Sequence, residues 1–127
     1  MREIIWIGTG GFIGAVLRYL VSGRVQHMSG SINFPWGTLA VNLLGCLVIG
    51  ALTYLAEARS LFSPETRMFV LVGILGSFTT FSTFANESLS LIRSGQTPLA
   101  LVYVGAHTVV GILFVLIGYA GSHTIWR

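Results

Sequence analysis

Three stretches of this chain contain no charged residue at all: residues 36–56, 68–86 and 94–126. A helix needs about 20 predominantly apolar residues to cross the hydrocarbon core of a bilayer. Each stretch is long enough for one crossing, and the last has room for interfacial flanks. A fourth candidate, residues 4–17, is short on its own. It reaches spanning length only by taking in Arg18 and continuing through residues 19–22, so Arg18 is expected to snorkel toward an interface or to face other protein. A cleaved signal peptide fits this run less well, because Arg2 would share its basic region with Glu3 and Arg18 would follow the apolar run at once. Composition agrees: of 127 residues 54% are hydrophobic and 9% charged, against about 25% charged in typical soluble domains. The pattern predicts an all-α integral membrane protein, one domain over 1–127 with four transmembrane helices at about 4–22, 36–56, 68–92 and 98–121.

The remaining chemistry is sparse. All seven basic residues are Arg, there is no Lys or Asp, and the four acids are Glu3, Glu57, Glu65 and Glu87. No two Arg lie closer than six residues apart, so there is no nucleic-acid patch and no nucleic-acid partner is expected. Cys46, the single cysteine, falls in mid-span and reads as a small apolar packing residue. His27, His107 and His123 fall in separate segments and form no metal-ligand spacing with Cys or acids. The glycine-rich "GTGGFIG" at 8–14 opens no βαβ unit and there is no Walker loop, which argues against nucleotide binding. Enzyme chemistry has no foothold, and the chain is not expected to be an enzyme.

With four spans both termini share a side. That side carries Arg2, Arg59, Arg67 and Arg127, and the other carries Arg18, Arg24 and Arg93. Orientation follows the Lys/Arg excess in short loops, and four against three is almost no excess. Insertion in both orientations is the favoured reading, with one fixed orientation set by context as the alternative. Dual insertion lets a chain pair antiparallel with itself about an axis in the membrane plane. Four short helices also leave little room for both a lipid-facing shell and a lined pathway, so an oligomer is expected. Gly10 and Gly14 form a GxxxG, Gly45, Gly50 and Ala51 mark the second span, and Gly105, Gly111, Gly118 and Gly121 the fourth. They indicate closely packed helices and nothing more specific.

The third span contains "GSFTTFSTFANE", residues 76–87. Thr79, Thr80, Ser82 and Thr83 put four hydroxyls in five positions, which cannot share one stripe of a regular helix, and Gly73 and Gly76 loosen the segment before them. A third helix broken near Gly76–Thr80 is expected. Irregular backbone at membrane depth is tolerated only where protein buries it or where it lines a wet cavity, so a break here would leave carbonyls able to hold a cation and hydroxyls or amides able to hold an anion. Once the helix resumes, Phe81 and Phe84 fall on one face. Aromatic edges are positive, so they can attract a small anion without the tight grip of an ammonium group, which suits conduction; simple packing of two rings is the competing reading. Asn42 in the second span is either helix glue or a donor to a passing anion. Glu87 is either interfacial or functional, and Arg18 either an anchor or a vestibule charge that concentrates anions. Tyr103 and His107, one turn apart, either extend a polar track or satisfy one another across helices.

Three strings then occur in order: "GGFIGAVLRY" at 10–19, "PWGTLAVNLLG" at 35–45 and "GSFTTFSTFANE" at 76–87. Together they resemble the Fluc/CrcB family of fluoride channels, and the likeness extends over nearly the whole chain. The resemblance implies a dual-topology protein of four helices that forms an antiparallel homodimer in the bacterial inner (plasma) membrane, with two pathways that let cytoplasmic fluoride leave passively. It implies that Phe81 and Phe84 are the ring pair beside the fluoride path and that Asn42 is a pore-lining donor. Ser82, Thr83 and Glu87 would continue the polar track, Tyr103 would join it from the fourth helix, and Arg18 would sit toward the vestibule. The carbonyls of Gly76 and Thr79 from both subunits would surround a structural sodium ion on the two-fold axis. Two departures stand out. Ser77 replaces a second glycine common within the break, and His107 replaces a small hydroxyl residue near the outer track, where a bulky titratable group could narrow the path or make conductance pH-dependent.

Two other functions compete on residues alone. A small dual-topology drug/proton exporter would also be a four-helix antiparallel dimer, but it needs a carboxylate in the first helix, where this chain has only Arg18 embedded and Glu3 ahead of the span. A membrane scaffold without transport would account for the glycines and for little of the hydroxyl-phenylalanine segment.

Overall fold

The computed structural model describes residues 1–58 and 62–126. Arg59 and Arg127, two of the four Arg assigned to the terminal side, lie outside the described residues. Four helical runs are long and apolar enough to cross a membrane: Arg2–Ser29, Trp36–Ala58, Pro64–Arg93 and Thr97–Ile125. The chain is a multi-pass membrane protein. We label the helices α1 (Arg2–Ser29), α2 (Trp36–Ala58), α3 (residues 64–78), α4 (Phe81–Arg93) and α5 (Thr97–Ile125). Together α3 and α4 make up the third run.

Local chemistry sets the helix ends. α1 runs past Arg18 and Arg24 to Ser29, where Gly30 takes a left-handed conformation (φ 62°) and donates its N–H to the His27 carbonyl. The turn into α2 is held by one side chain. Gln26 Nε2 donates to the carbonyls of Ser31 (2.6 Å) and Phe34 (3.2 Å), and its Oε1 accepts the Gly37 N–H at 3.0 Å. Ser63 caps α3 by accepting the Thr66 N–H, with Pro64 at the first helical position. From the same turn Arg67 reaches back to the Ala56 carbonyl of α2 at 2.9 Å. α4 ends in a Schellman motif: Gln96 N–H bonds the Leu91 carbonyl and Gly95 N–H (φ 78°) bonds that of Ile92. The tight reversal that follows lays α5 back along α4.

Two stretches are wound in wide π-type turns, Met68–Leu75 in α3 and Ala106–Val110 in α5. Between α3 and α4 two residues are extended, Thr79 (φ −86°, ψ 156°) and Thr80 (φ −149°, ψ 113°). Ser77, placed by the sequence reading inside an irregular segment, sits instead in the helical turn Gly76–Phe78, against Gly11 of α1. A helical φ makes no demand for glycine, so serine is accommodated there without backbone strain.

Glycines decide which helices touch. A Cβ on Gly10 would meet the Phe69 carbonyl and one on Gly14 the Ile74 carbonyl, so the GxxxG of α1 lies directly on the α3 backbone. Likewise a Cβ on Gly50 would meet the Val115 carbonyl and one on Gly118 the Leu47 carbonyl, which seals α2 against the second half of α5. Where lipid is as apolar as the helix interface, such close approach supplies dispersion contact that larger side chains would prevent. Both seams lie within one chain. The buried side-chain cluster sits elsewhere, where the first half of α2, α4 and the first half of α5 converge: Phe34, Leu39, Phe84, Leu91, Ala100 and the fully buried Tyr103.

Candidate functional site

The site begins where the backbone leaves the helix. Asn42 of α2 pairs with the extended Thr80 as a strand would: its Oδ1 accepts the Thr80 N–H at 2.8 Å and its Nδ2 donates to the Thr80 carbonyl at 3.2 Å. Thr80 in turn caps α4. Its Oγ1 accepts the Thr83 N–H at 3.3 Å and donates to Thr83 Oγ1 at 2.9 Å. These two bonds have a consequence for the carbonyls before them. In an unbroken helix the N–H of Thr80 would close on the carbonyl of Gly76, and that of Thr83 on the carbonyl of Thr79. Both N–H groups point elsewhere, so both carbonyls lack their helical donor.

Asn42 therefore joins α2 to the interrupted segment and also lines a cavity. One of its two amide hydrogens is engaged by Thr80, and the residue lines a cavity of about 390 Å³ together with Thr79, Thr80, Phe81, Phe84 and His107. Phe84 is buried, 9% exposed, whereas Phe81 is 79% exposed; the ring centroids lie 5.5 Å apart at 53°. Phe84 also meets His107 (4.4 Å, 38°) and Tyr103 (5.6 Å, 42°).

One turn further along both helices lies a second layer. Glu87 of α4 is held between two hydroxyls: Thr38 Oγ1 donates to its Oε1 at 2.9 Å and Tyr103 OH to its Oε2 at 2.6 Å. Glu87 and Thr38 line a polar cleft of about 490 Å³ with Ser22, Gln26, Ser90 and Ser94. The arrangement is stepped. Asn42 and Phe84 line one cavity, Thr38 and Glu87 line the other, and Tyr103, which lines neither, contacts both Phe84 and Glu87.

Asn42, Phe81 and Phe84 share one cavity with Gly76 and Thr79, and Tyr103 links Phe84 to Glu87. Ser82 and Thr83 are exposed on the outer side of α4, away from the buried face of Phe84. Arg18 is half-buried on α1, one turn before Ser22, and lines neither cavity. Tyr103 and His107 do not satisfy one another by their side chains: the Tyr103 hydroxyl goes to Glu87, and His107 Nδ1 lies 3.0 Å from the Tyr103 carbonyl. Sequence reasoning passed over Thr38. Its signal was present, since Thr38 precedes Asn42 by four residues and so shares its helix face. Among the described residues no group of three His, Cys, Asp or Glu is placed to hold a metal ion.

The cavity lining offers two phenylalanine rings, the Asn42 amide and threonine hydroxyls, with no ammonium or guanidinium among them. Comparisons with known proteins agree with this chemistry. Residues 5–119 match the family model described as CrcB-like protein, Camphor Resistance (CrcB). The chain is 44% identical over 118 residues to the fluoride-specific ion channel FluC of Phocaeicola vulgatus, covering 93% of this chain and 96% of that protein. It is 46% identical over 118 residues to fluoride-specific ion channel FluC 1 of Methanosarcina acetivorans, covering 93% and 88%. With the FluC of Nitrosococcus oceani it shares 40% identity over 124 residues, 98% of each chain. A match of this length and identity, from the first helix to the last, means that the chain belongs to the Fluc/CrcB family.

Proposed function

We propose that this protein is a passive, fluoride-specific channel that exports cytoplasmic fluoride across the bacterial inner membrane and so confers fluoride resistance. The observation that carries this reading is the layered arrangement of polar groups: Asn42 and Phe84 line one cavity, Thr38 and Glu87 line a polar cleft, and Tyr103 contacts both Phe84 and Glu87. Fluoride would pass from the level of Asn42, Phe81 and Phe84 to that of Thr38, Glu87 and Tyr103. The donors along that line would bind weakly enough to release the ion to the next. The hydroxyls of Thr38 and Tyr103 each donate to a different carboxyl oxygen of Glu87, and either would serve fluoride by turning its O–H from Glu87 to the ion. Ser82 and Thr83 would continue the track on the outer side of α4, and Arg18 would act from the vestibule through its long-range field.

The functional unit in this reading is a single four-helix domain paired with itself, antiparallel, in the lipid bilayer, giving two pathways per homodimer. Support comes from the near-tie of Arg between the two sides and from the exposure of Gly76 and Phe81 on a single chain. The interruption at Thr79 and Thr80 would serve the pairing. The carbonyls of Gly76 and Thr79, which lack their helical donors, fit a hard cation such as sodium, and two chains would supply four of them. Bound there, sodium would supply fixed positive charge and hold the two interruptions together.

The test is passive efflux from liposomes that contain purified protein and are loaded with fluoride or chloride. Rapid fluoride release with chloride retained is expected. Release of neither ion from assembled dimers would return the scaffold reading, and proton-coupled movement of organic cations would return the exporter.

A further inference from the structure

His107 lines the cavity and takes no part in the pathway as described. Its ring stacks on Phe84 and meets Tyr103 edge-on, both with centroids at 4.4 Å, and it stands in the wide π-type turn Ala106–Val110. Such turns reposition side chains and recur at functional sites. Nδ1 lies 3.0 Å from the Tyr103 carbonyl. A carbonyl can only accept, so the proton of the neutral ring resides on Nδ1 and Nε2 carries a bare lone pair. Nε2 is buried and has no hydrogen-bond partner. It is the only such buried side-chain atom among the described residues, and a buried polar atom left unpaired asks for a reason.

We propose that His107 is a proton-controlled anion-attracting residue of this cavity, in which Nε2 is the proton site. The neutral ring presents the cavity with an uncharged wall. Taking a proton from water at Nε2 turns that wall cationic without disturbing the Nδ1–H bond to Tyr103, because Nε2 is the only ring position left to fill. The cation would lie against the Phe84 and Tyr103 rings, whose π-systems can attract it. The titratable groups facing the ring are Tyr103 on its own helix, Cys46 from α2, and Glu87 of α4 behind the Tyr103 hydroxyl; α3 contributes only Leu71, Leu75 and Gly76, and no Arg lines the cavity. A unit charge a few ångströms from the ion acts strongly in so poorly screened a setting. His107 would thereby set how readily fluoride occupies the level of Asn42 and Phe84. This inference rests on the channel reading.

The experiment measures fluoride flux against fluoride concentration at about pH 5.5 and about pH 7.5, with equal pH on both sides and the leak of protein-free vesicles subtracted. The native protein, His107→Gln and His107→Ser are compared. In the native protein the half-saturating fluoride concentration is expected to be about tenfold lower at the acidic pH, and in both variants to be the same at both pH values. Native flux that ignores pH, or a variant that keeps the native ratio, overturns the inference and leaves the channel reading standing. No fluoride flux from any of the three at either pH overturns both. Should the variants not assemble, ring ¹⁵N spectra of the native protein decide: a fluoride-dependent shift of one imidazole only at the acidic pH supports the inference, and its absence at both pH values overturns it.

Discussion

The two halves of α2 meet their neighbours in opposite ways. The second half is a dry seam in which Gly50 lies against the Val115 backbone, while Gly118 of α5 lies against Leu47. The first half reaches out through side chains, Thr38 to Glu87 and Asn42 to the backbone of Thr80. Shape alone holds the one; the other adds directional bonds to the close contacts of Gly37 with Ser22 and Gly45 with Thr79. A membrane interior has no water to satisfy a stray N–H or carbonyl, so polar groups there must be answered individually, and a seam without them is the simpler scaffold. Placing both on one helix anchors the half that bonds Thr80 and Glu87 by the packed half.

The contrast can be broken from either end. The largest effect is expected at the seam: Gly50→Leu or Gly118→Leu drives a side chain into a backbone carbonyl that cannot move aside, costing about 3 kcal/mol. Denaturant titration in detergent should show little assembled protein. Asn42→Leu attacks the polar half by leaving the Thr80 N–H and carbonyl unanswered, a loss of about 2 kcal/mol or more. Flux should vanish with it, and flux near the native level in that variant would mean that the Thr80 backbone needs no clamp. Phe84→Ile and Phe81→Ile sharpen the comparison by separating function from packing. Both should lower fluoride flux by about tenfold, with a measurable stability loss only for the buried Phe84; normal flux in both would assign the rings to packing. The smallest effect is expected for Tyr103→Phe, which removes one of the two hydroxyls on Glu87. A stability loss of about 1 kcal/mol and a flux reduction of about threefold are expected, read from the same two assays.

The two halves also differed in how far they could be read from sequence. Charge-free windows located the four helical runs, because the bilayer imposes a length and a composition that few other settings do. Small residues announced close packing, yet nothing in their spacing said that Gly10 and Gly14 would lie on Phe69 and Ile74 of the same chain. Periodicity gives a face and leaves the neighbour open. The hydroxyl cluster at 79–83 drew attention to the segment where Thr79 and Thr80 are extended, since no single helical stripe could hold all its polar groups. What stayed hidden was pairwise: that Asn42 would answer both backbone groups of Thr80, that Thr38 would share Glu87 with Tyr103, and that His107 would bond a carbonyl and leave Nε2 bare. Those facts depend on helix rotation about neighbours, fixed by the glycine contacts, and a single sequence carries no direct record of it.

Conduction along the line from Asn42 and Phe84 to Thr38 and Glu87 is tested most directly by fluoride and chloride efflux from paired liposome preparations of native protein and Phe84→Ile, each shown to be an assembled dimer. The expected result is rapid fluoride release with chloride retained for the native protein and about tenfold slower fluoride release for the variant. Equal fluoride release from the two preparations, or native dimers that retain fluoride as well as they retain chloride, would contradict it.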